Sequence, residues 1–155
     1  MKKKTLYVHR PVLNTEEIAN WYKEHDVPTT LDDDMHVTLA FSRELVDWDQ
    51  FIPRKGKFLV YAPFSVMLKR ERSMSLFGDD NNVLVLEFSS PVFQRRWKQF
   101  MDKGASWDHD GFKPHITITY NAPKELPAPY PGNMMFGPEI FGIVDEDWAE
   151  KKKES

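Results

Sequence analysis

Two of the five histidines in this sequence open the tripeptide His-x-Thr, at His36-Val37-Thr38 and His115-Ile116-Thr117. Each stands in an alternating run of β-formers, His-Val-Thr-Leu and His-Ile-Thr-Ile. In a strand, residues i and i+2 project from the same face. His36 and Thr38 therefore point one way together, as do His115 and Thr117, while Val37, Leu39, Ile116 and Ile118 turn toward packing. Two such strands placed near a pseudo-twofold axis line one cleft with two imidazoles and two hydroxyls. The unperturbed imidazole pKa of about 6.5 makes neutral and protonated rings both available near neutral pH. One ring can take the proton of a hydroxyl nucleophile while the other gives a proton to a departing oxygen. The threonine hydroxyls can donate to non-bridging oxygens as negative charge builds. That is equipment for cleaving a phosphoester.

The bland alternative is that each histidine is a packed or surface residue of its strand. Threonine occupies 7 of 155 positions. A given histidine then meets one two places on with a chance of about 5%, and two of five do so with a chance of about 2%. The matching apolar frames lower the chance further. The scheme asks for no metal or other cofactor, and the sequence has no cysteine and no His-x-His pair. Asp32-Asp33-Asp34 reads as a solvated turn rather than a cation site. His9, beside Arg10, has two readings, a surface position and an approach to a phosphate. His25 and His109 read as solvated.

The elements that must position these residues follow from the pattern. Thr5 to Arg10 alternates as a strand and ends at Pro11. A helix is expected from about Thr15 to His25, capped by Asn14, with Glu17 completing a capping box and Ile18, Trp21, Tyr22 and His25 on one face. His36 to Ser42 is the next strand. Further strands are expected at Lys57 to Val66 and at Val83 to Phe88, with Gly78-Asp79-Asp80-Asn81 as turn residues between them. A second helix is capped by Ser90, begins at Pro91, buries Phe93, Trp97, Phe100 and Met101, and closes at Gly104. The strand His115 to Tyr120, an irregular proline-rich stretch from Asn121 to Gly132, and a last strand from Met134 to Val144 complete the order. Each half holds one helix and one His-x-Thr strand. The expectation is one α+β domain over residues 1–155, made of two pseudo-symmetric lobes. Each lobe is a mostly antiparallel sheet with a helix on its outer face, and the active-site cleft lies between them.

Composition sets bounds on partners. The apolar share of 41% and charged share of 29% are those of a globular protein with a substantial core. A net charge of −3 and short, scattered basic clusters argue against a partner of long nucleic acid. No run approaches the roughly 18 apolar residues of a membrane span. Met1-Lys2-Lys3-Lys4 imitates the start of a signal peptide, but no apolar core follows it. A cytoplasmic location is expected.

The sequence resembles the two-histidine phosphoesterase superfamily, defined by paired His-x-(Thr/Ser) motifs and including the bacterial RNA 2′,3′-cyclic phosphodiesterase/ligase-like proteins. Within it the flanks are similar to the small phage anti-CBASS phosphodiesterases. The likeness rests on Leu6-Tyr7-Val8-x-Arg10-Pro11, Met35-His36-Val37-Thr38, Phe41-Ser42-Arg43 with Val46-Asp47-Trp48, and Lys113-Pro114-His115-Ile116-Thr117. The resemblance implies that His36, Thr38, His115 and Thr117 are the catalytic four. It implies attack by a ribose 2′-hydroxyl on the 3′ phosphate of a cyclic di- or trinucleotide, leaving a linear product with a 2′,3′-cyclic phosphate. Such cleavage removes the signal of a bacterial antiviral defence. It leaves open which histidine is the base.

Around that cleft the substrate-binding candidates are Tyr7, Trp107, Glu139 and Trp148. Stacking on a base contributes roughly 1–3 kcal/mol and tolerates sequence. Ordinary packing is the equal alternative for Tyr7 and Trp107, whereas Trp148, in a charged tail, reads as a lid. Glu139 interrupts an apolar run, and a carboxylate there needs a partner. An adenine amino group or a protonated histidine would serve; an exposed edge position is the alternative. The partner expected is a cyclic, adenine-containing oligonucleotide. Two other functions compete: end processing of RNA carrying 2′,3′-cyclic phosphates or 2′–5′ linkages, and a binding protein that sequesters the nucleotide uncut.

Overall fold

A computed structural model describes residues 3–27, 29, 35–52, 64–66 and 71–144. The Asp32-Asp33-Asp34 turn, most of the strand expected from Lys57, and the tail with Trp148 lie outside the described residues.

The first half is β1 (Lys3–Pro11), α1 (Thr15–Glu24) and β2 (His36–Asp47), with β2 antiparallel to β1. Short β3 (Phe64–Val66) and β4 (Arg72–Phe77) follow. The second half repeats the pattern as β5 (Val83–Phe88), α2 (Pro91–Asp102) and β6 (His115–Thr119), with β6 antiparallel to β5. Strands β7 (Met134–Phe136) and β8 (Ile140–Gly142) end the described chain. Among the described residues the strands form three sheets, ordered β2-β1-β8, β4-β5-β6 and β3-β7. The architecture is α+β and antiparallel, as expected.

Local chemistry explains where elements start and stop. Ser90 caps α2 by accepting a hydrogen bond from the Phe93 amide at 3.2 Å, with Pro91 at the first helical position. Gly104 then takes φ +98°, a conformation that closes a helix and suits glycine. At α1 the expected cap differs. The Asn14 side chain makes no cap bond. Its amide donates to Glu17 at 3.1 Å and to the Asn133 carbonyl at 2.8 Å, and its oxygen accepts from the Met135 amide at 2.9 Å. Asn14 thus ties the start of α1 to β7 and to the Glu17 side chain of its own first turn, without capping a backbone amide. The last strand, expected unbroken from Met134 to Val144, is two strands: β7 pairs with β3, β8 with β1, and Gly137-Pro138-Glu139 lies between. A proline cannot donate to a sheet ladder, and here the chain changes sheets around one. Strand β4, in which Met74 and Leu76 alternate with Ser73 and Ser75, is an addition to the expected strands.

Each helix reaches across to the other half. Phe100 of α2 is fully buried against Phe51 and Phe141, at ring separations of 4.8 and 6.2 Å, and α2 lies against β2. From α1, the Tyr22 hydroxyl meets the Met74 sulfur on β4 at 3.2 Å and accepts a hydrogen bond from the Tyr130 amide at 3.0 Å. Burial keeps the Tyr22 phenol protonated far above neutral pH. The same environment, with Glu17 nearby, pushes Tyr130 up to about 12. Arg72 donates to the carbonyls of Tyr130, Gly132 and Val66, which pins the irregular stretch to the sheet.

Candidate active site

The two motif strands are equivalent residue by residue. His36 and Thr38 are half-buried while Val37 and Leu39 are fully buried. His115 and Thr117 are half-buried while Ile116 and Ile118 are fully buried. Antiparallel partners match as well. Pro11, Arg10 and His9 lie opposite His36, Val37 and Thr38; Glu87, Leu86 and Val85 lie opposite His115, Ile116 and Thr117.

Each strand then bulges at the same point. In β2, Val8 pairs with Ala40 and His9 with Thr38, so Leu39 is the extra residue. In β6, Leu84 pairs with Thr119 and Val85 with Thr117, so Ile118 is the extra residue. A bulge puts two consecutive residues against one partner and re-aims the side chains beside it. Here it buries Leu39 with Ala40 and Ile118 with Thr119, and leaves His-x-Thr on the half-open face.

Strands β2 and β6 are edge strands of different sheets, and they pack on each other without joining. The two strands that carry the motifs thus meet at the seam between halves. A serine clasp fastens it. The Ser106 amide donates to Ser42 Oγ at 2.9 Å, and the Arg43 amide donates to Ser106 Oγ at 3.0 Å. The Arg43 side chain also pairs with Asp108 at 3.2 Å.

Around the histidines the halves differ. His115 Nδ1 lies 2.9 Å from the Lys113 carbonyl. A carbonyl only accepts, so Nδ1 carries the hydrogen. Phe77 stands edge-on to the His115 ring at 4.8 Å. His36 sits among aromatics from β1. The His9 ring is 5.3 Å away at 71°, and Tyr7 is 6.4 Å away at 85°. Tyr7 and His9 stack at 4.9 Å and 17°. His9, read as a surface or phosphate-side residue, is thus half-buried beside His36. Strand alternation had already placed Tyr7 and His9 on one face.

The substrate-binding candidates separate. Tyr7 is beside His36, with one face covered by His9, so a base has only its other face. Trp107 is half-buried in the loop before β6; its indole donates to the Gly111 carbonyl at 2.8 Å and its ring packs on Trp97, Phe112 and His109. Glu139 is corrected. The partner anticipated in an adenine or a protonated histidine is Arg96, which grips both carboxylate oxygens at 2.9 Å. The side chain is 2% exposed, not at an open edge. Burial pushes this carboxyl above the ordinary range, while Arg96 and Arg10 pull it back. Arg10, missed by sequence reasoning, is buried under α2, donates to the Gly137 carbonyl and lies over the Phe93 ring. Among the described residues no group of three or more His, Asp or Glu side chains could hold a metal ion. No helix among them is long and apolar enough to cross a membrane.

Solved structures share the fold. A phosphoesterase crystal structure superposes with a TM-score of 0.60 at 16% identity, covering 90% of this chain and 87% of that one. Escherichia coli LigT complexed with 3′-AMP gives 0.54 at 15%, covering 92% and 96%. The chain shares the fold of these two proteins. The family model described as "Anti-CBASS protein Acb1" matches residues 4–151. The chain belongs to the anti-CBASS Acb1 family. It is 38% identical over 162 residues to a protein of that name from Caulobacter sp. (strain RHG1), covering 99% of this chain and 25% of the relative. It is 35% identical to one from Sphingomonas paeninsulae, covering 92% of this chain and 23% of the relative. The chain therefore spans about a quarter of the length of these two relatives.

Proposed function

We propose that this chain is a phosphodiesterase that opens cyclic di- or trinucleotide signals at 3′–5′ bonds, and so counters the CBASS defence for which its family is named. The observation that carries this reading is the pair of His-x-Thr strands, alike in alternation, partner register and bulge, meeting at one seam. In the reaction one imidazole takes the proton of the ribose 2′-hydroxyl. The 2′ oxygen bonds to phosphorus, the bond from phosphorus to the 5′ oxygen breaks, and the second imidazole protonates that oxygen. The product is linear and ends in a 2′,3′-cyclic phosphate. Thr38 and Thr117 lie on the same face as the histidines and can donate to the non-bridging oxygens. Tyr7, on the His36 side, offers a ring face to a base, and adenine is the base proposed.

Incubating the protein with cyclic di- and trinucleotides in EDTA, and resolving the products by mass, tests the reading. Linear products with a cyclic phosphate end are expected. Cleavage confined to RNA ends with 2′,3′-cyclic phosphates would transfer the activity to end processing. Ligand that is bound but intact would make the chain a sponge. Activity lost in EDTA would overturn the metal-free scheme.

A further inference from the structure

The partners of the two motif strands differ in chemistry, and the difference opposite the threonines bears on the reaction. Opposite Thr117 stands Val85, an apolar and fully buried residue. Opposite Thr38 stands His9, on the half-open face, with its ring 5.3 Å from that of His36. We propose that His9 is a positioning residue that holds the His36 ring edge-on and keeps it neutral, so that His36 takes the 2′-hydroxyl proton and His115 protonates the leaving oxygen. The inference rests on the phosphodiesterase reading above.

Two arguments support it. The first is geometric: His9 is itself held flat against Tyr7, so His36 meets a stacked pair of rings from β1 at nearly right angles. Near His115 stand Phe77, which cannot titrate, the Lys113 carbonyl, and Glu87 opposite it on β5, a carboxylate that favours the protonated ring. The second is electrostatic. Two imidazoles this close share protons unevenly, because a charge on one disfavours a charge on the other. A carbonyl accepting from Nδ1–H acts in the opposite sense on His115, since it stabilises the imidazolium. Beside the His9–His36 pair stand Tyr7 from β1, Thr38 opposite His9 on β2, Pro11 opposite His36, and the apolar Ile140 opposite His9 on β8; Phe41 lies against Tyr7, and strand β6 packs on β2. Arg43, farther along β2, is paired with Asp108.

As the reaction runs, His36 gains the 2′ proton while His115 loses one to the 5′ oxygen, and solvent exchange restores both rings. The test uses His9→Phe, which keeps a stacking ring, and His9→Gln, which keeps a neutral polar group. Histidine carbon–proton NMR of the free protein should show the His36 titration moving to higher pH by about half a unit or more in both variants. The acid limb of kcat/KM should move with it, while the basic limb stays. A substrate whose 5′ bridging oxygen is replaced by sulfur, a leaving group that needs no proton, should rescue His115→Ala and not His36→Ala. An unmoved His36 titration in an active enzyme overturns the coupling. Rescue of His36→Ala instead overturns the assignment of roles. A moved titration in a protein that cleaves no nucleotide overturns the phosphodiesterase reading and leaves the coupling standing.

Discussion

At the scale of single residues, the proposed chemistry depends on four side chains that the fold presents in two matched pairs. General acid or base catalysis by a positioned side chain contributes about a hundred- to ten-thousandfold in rate. His36→Ala and His115→Ala should each lower kcat by about a thousandfold, and Thr38→Ala or Thr117→Ala by about a hundredfold. Binding of a cyclic dinucleotide, read by calorimetry, should survive in all four. A histidine variant that keeps wild-type turnover would remove that ring from the mechanism. These four residues were legible in the sequence because a two-residue period fixes which side chains share a face. His9 obeyed the same period but was left undecided. Nothing in one strand tells which neighbour its open face will meet, and the neighbour is β2. Glu139 was legible as a carboxylate in need of a partner. Its partner was hidden because nothing local to Arg96 says what its side chain meets, and only the packing of α2 turns it inward.

Among the elements, the bulges after Thr38 and Thr117 are what keep His-x-Thr half-open while the next two residues are buried. Runs of β-formers announce strands but not bulges, since the extra residue is defined by the partner strand. The break between β7 and β8 had a visible signal in Gly137-Pro138. The apolar run around it argued for continuity instead. That break carries Glu139 to α2, where its pair with Arg96 closes over buried Arg10. Removing one partner of a buried pair strands the other charge, so Glu139→Ala should cost about 3 kcal/mol in urea unfolding and change KM little. A variant of unchanged stability but raised KM would return Glu139 to the substrate. The pH dependence has a definite sign. This carboxyl is held above its unfolded value, mainly by burial. The stability it contributes is therefore fully present below the unfolded pKa, about 4.3, and is lost as pH rises through the folded one. The stability of wild type relative to Glu139→Gln should fall across that window.

For the whole molecule, the two halves are legible from the order of elements, but their interlocking is not. Helical periodicity shows that α2 has an apolar stripe; it does not say which sheet the stripe covers. In the fold, Phe100 of α2 fills a site between Phe51 and Phe141, and Arg96 lies 4.5 Å over its ring. Tyr22 of α1 reciprocates at Met74 and Tyr130. Neither half can then complete its core without the helix of the other. The strands that carry the motifs also pack at a seam that exists only when both halves are folded, so loss of either half would dissolve the proposed site. Phe100→Ala deletes a fully buried ring at a cost of about 3–5 kcal/mol. In a molecule built this way that cost is felt by both halves together, because the transition is a single cooperative one. Hydrogen exchange read by mass spectrometry should show β1 and β5 losing protection by the same free energy in this variant. Fluorescence and circular dichroism should give coincident unfolding curves. Protection lost from one half alone would mean that the halves fold independently and that the seam is a docking surface rather than a shared core.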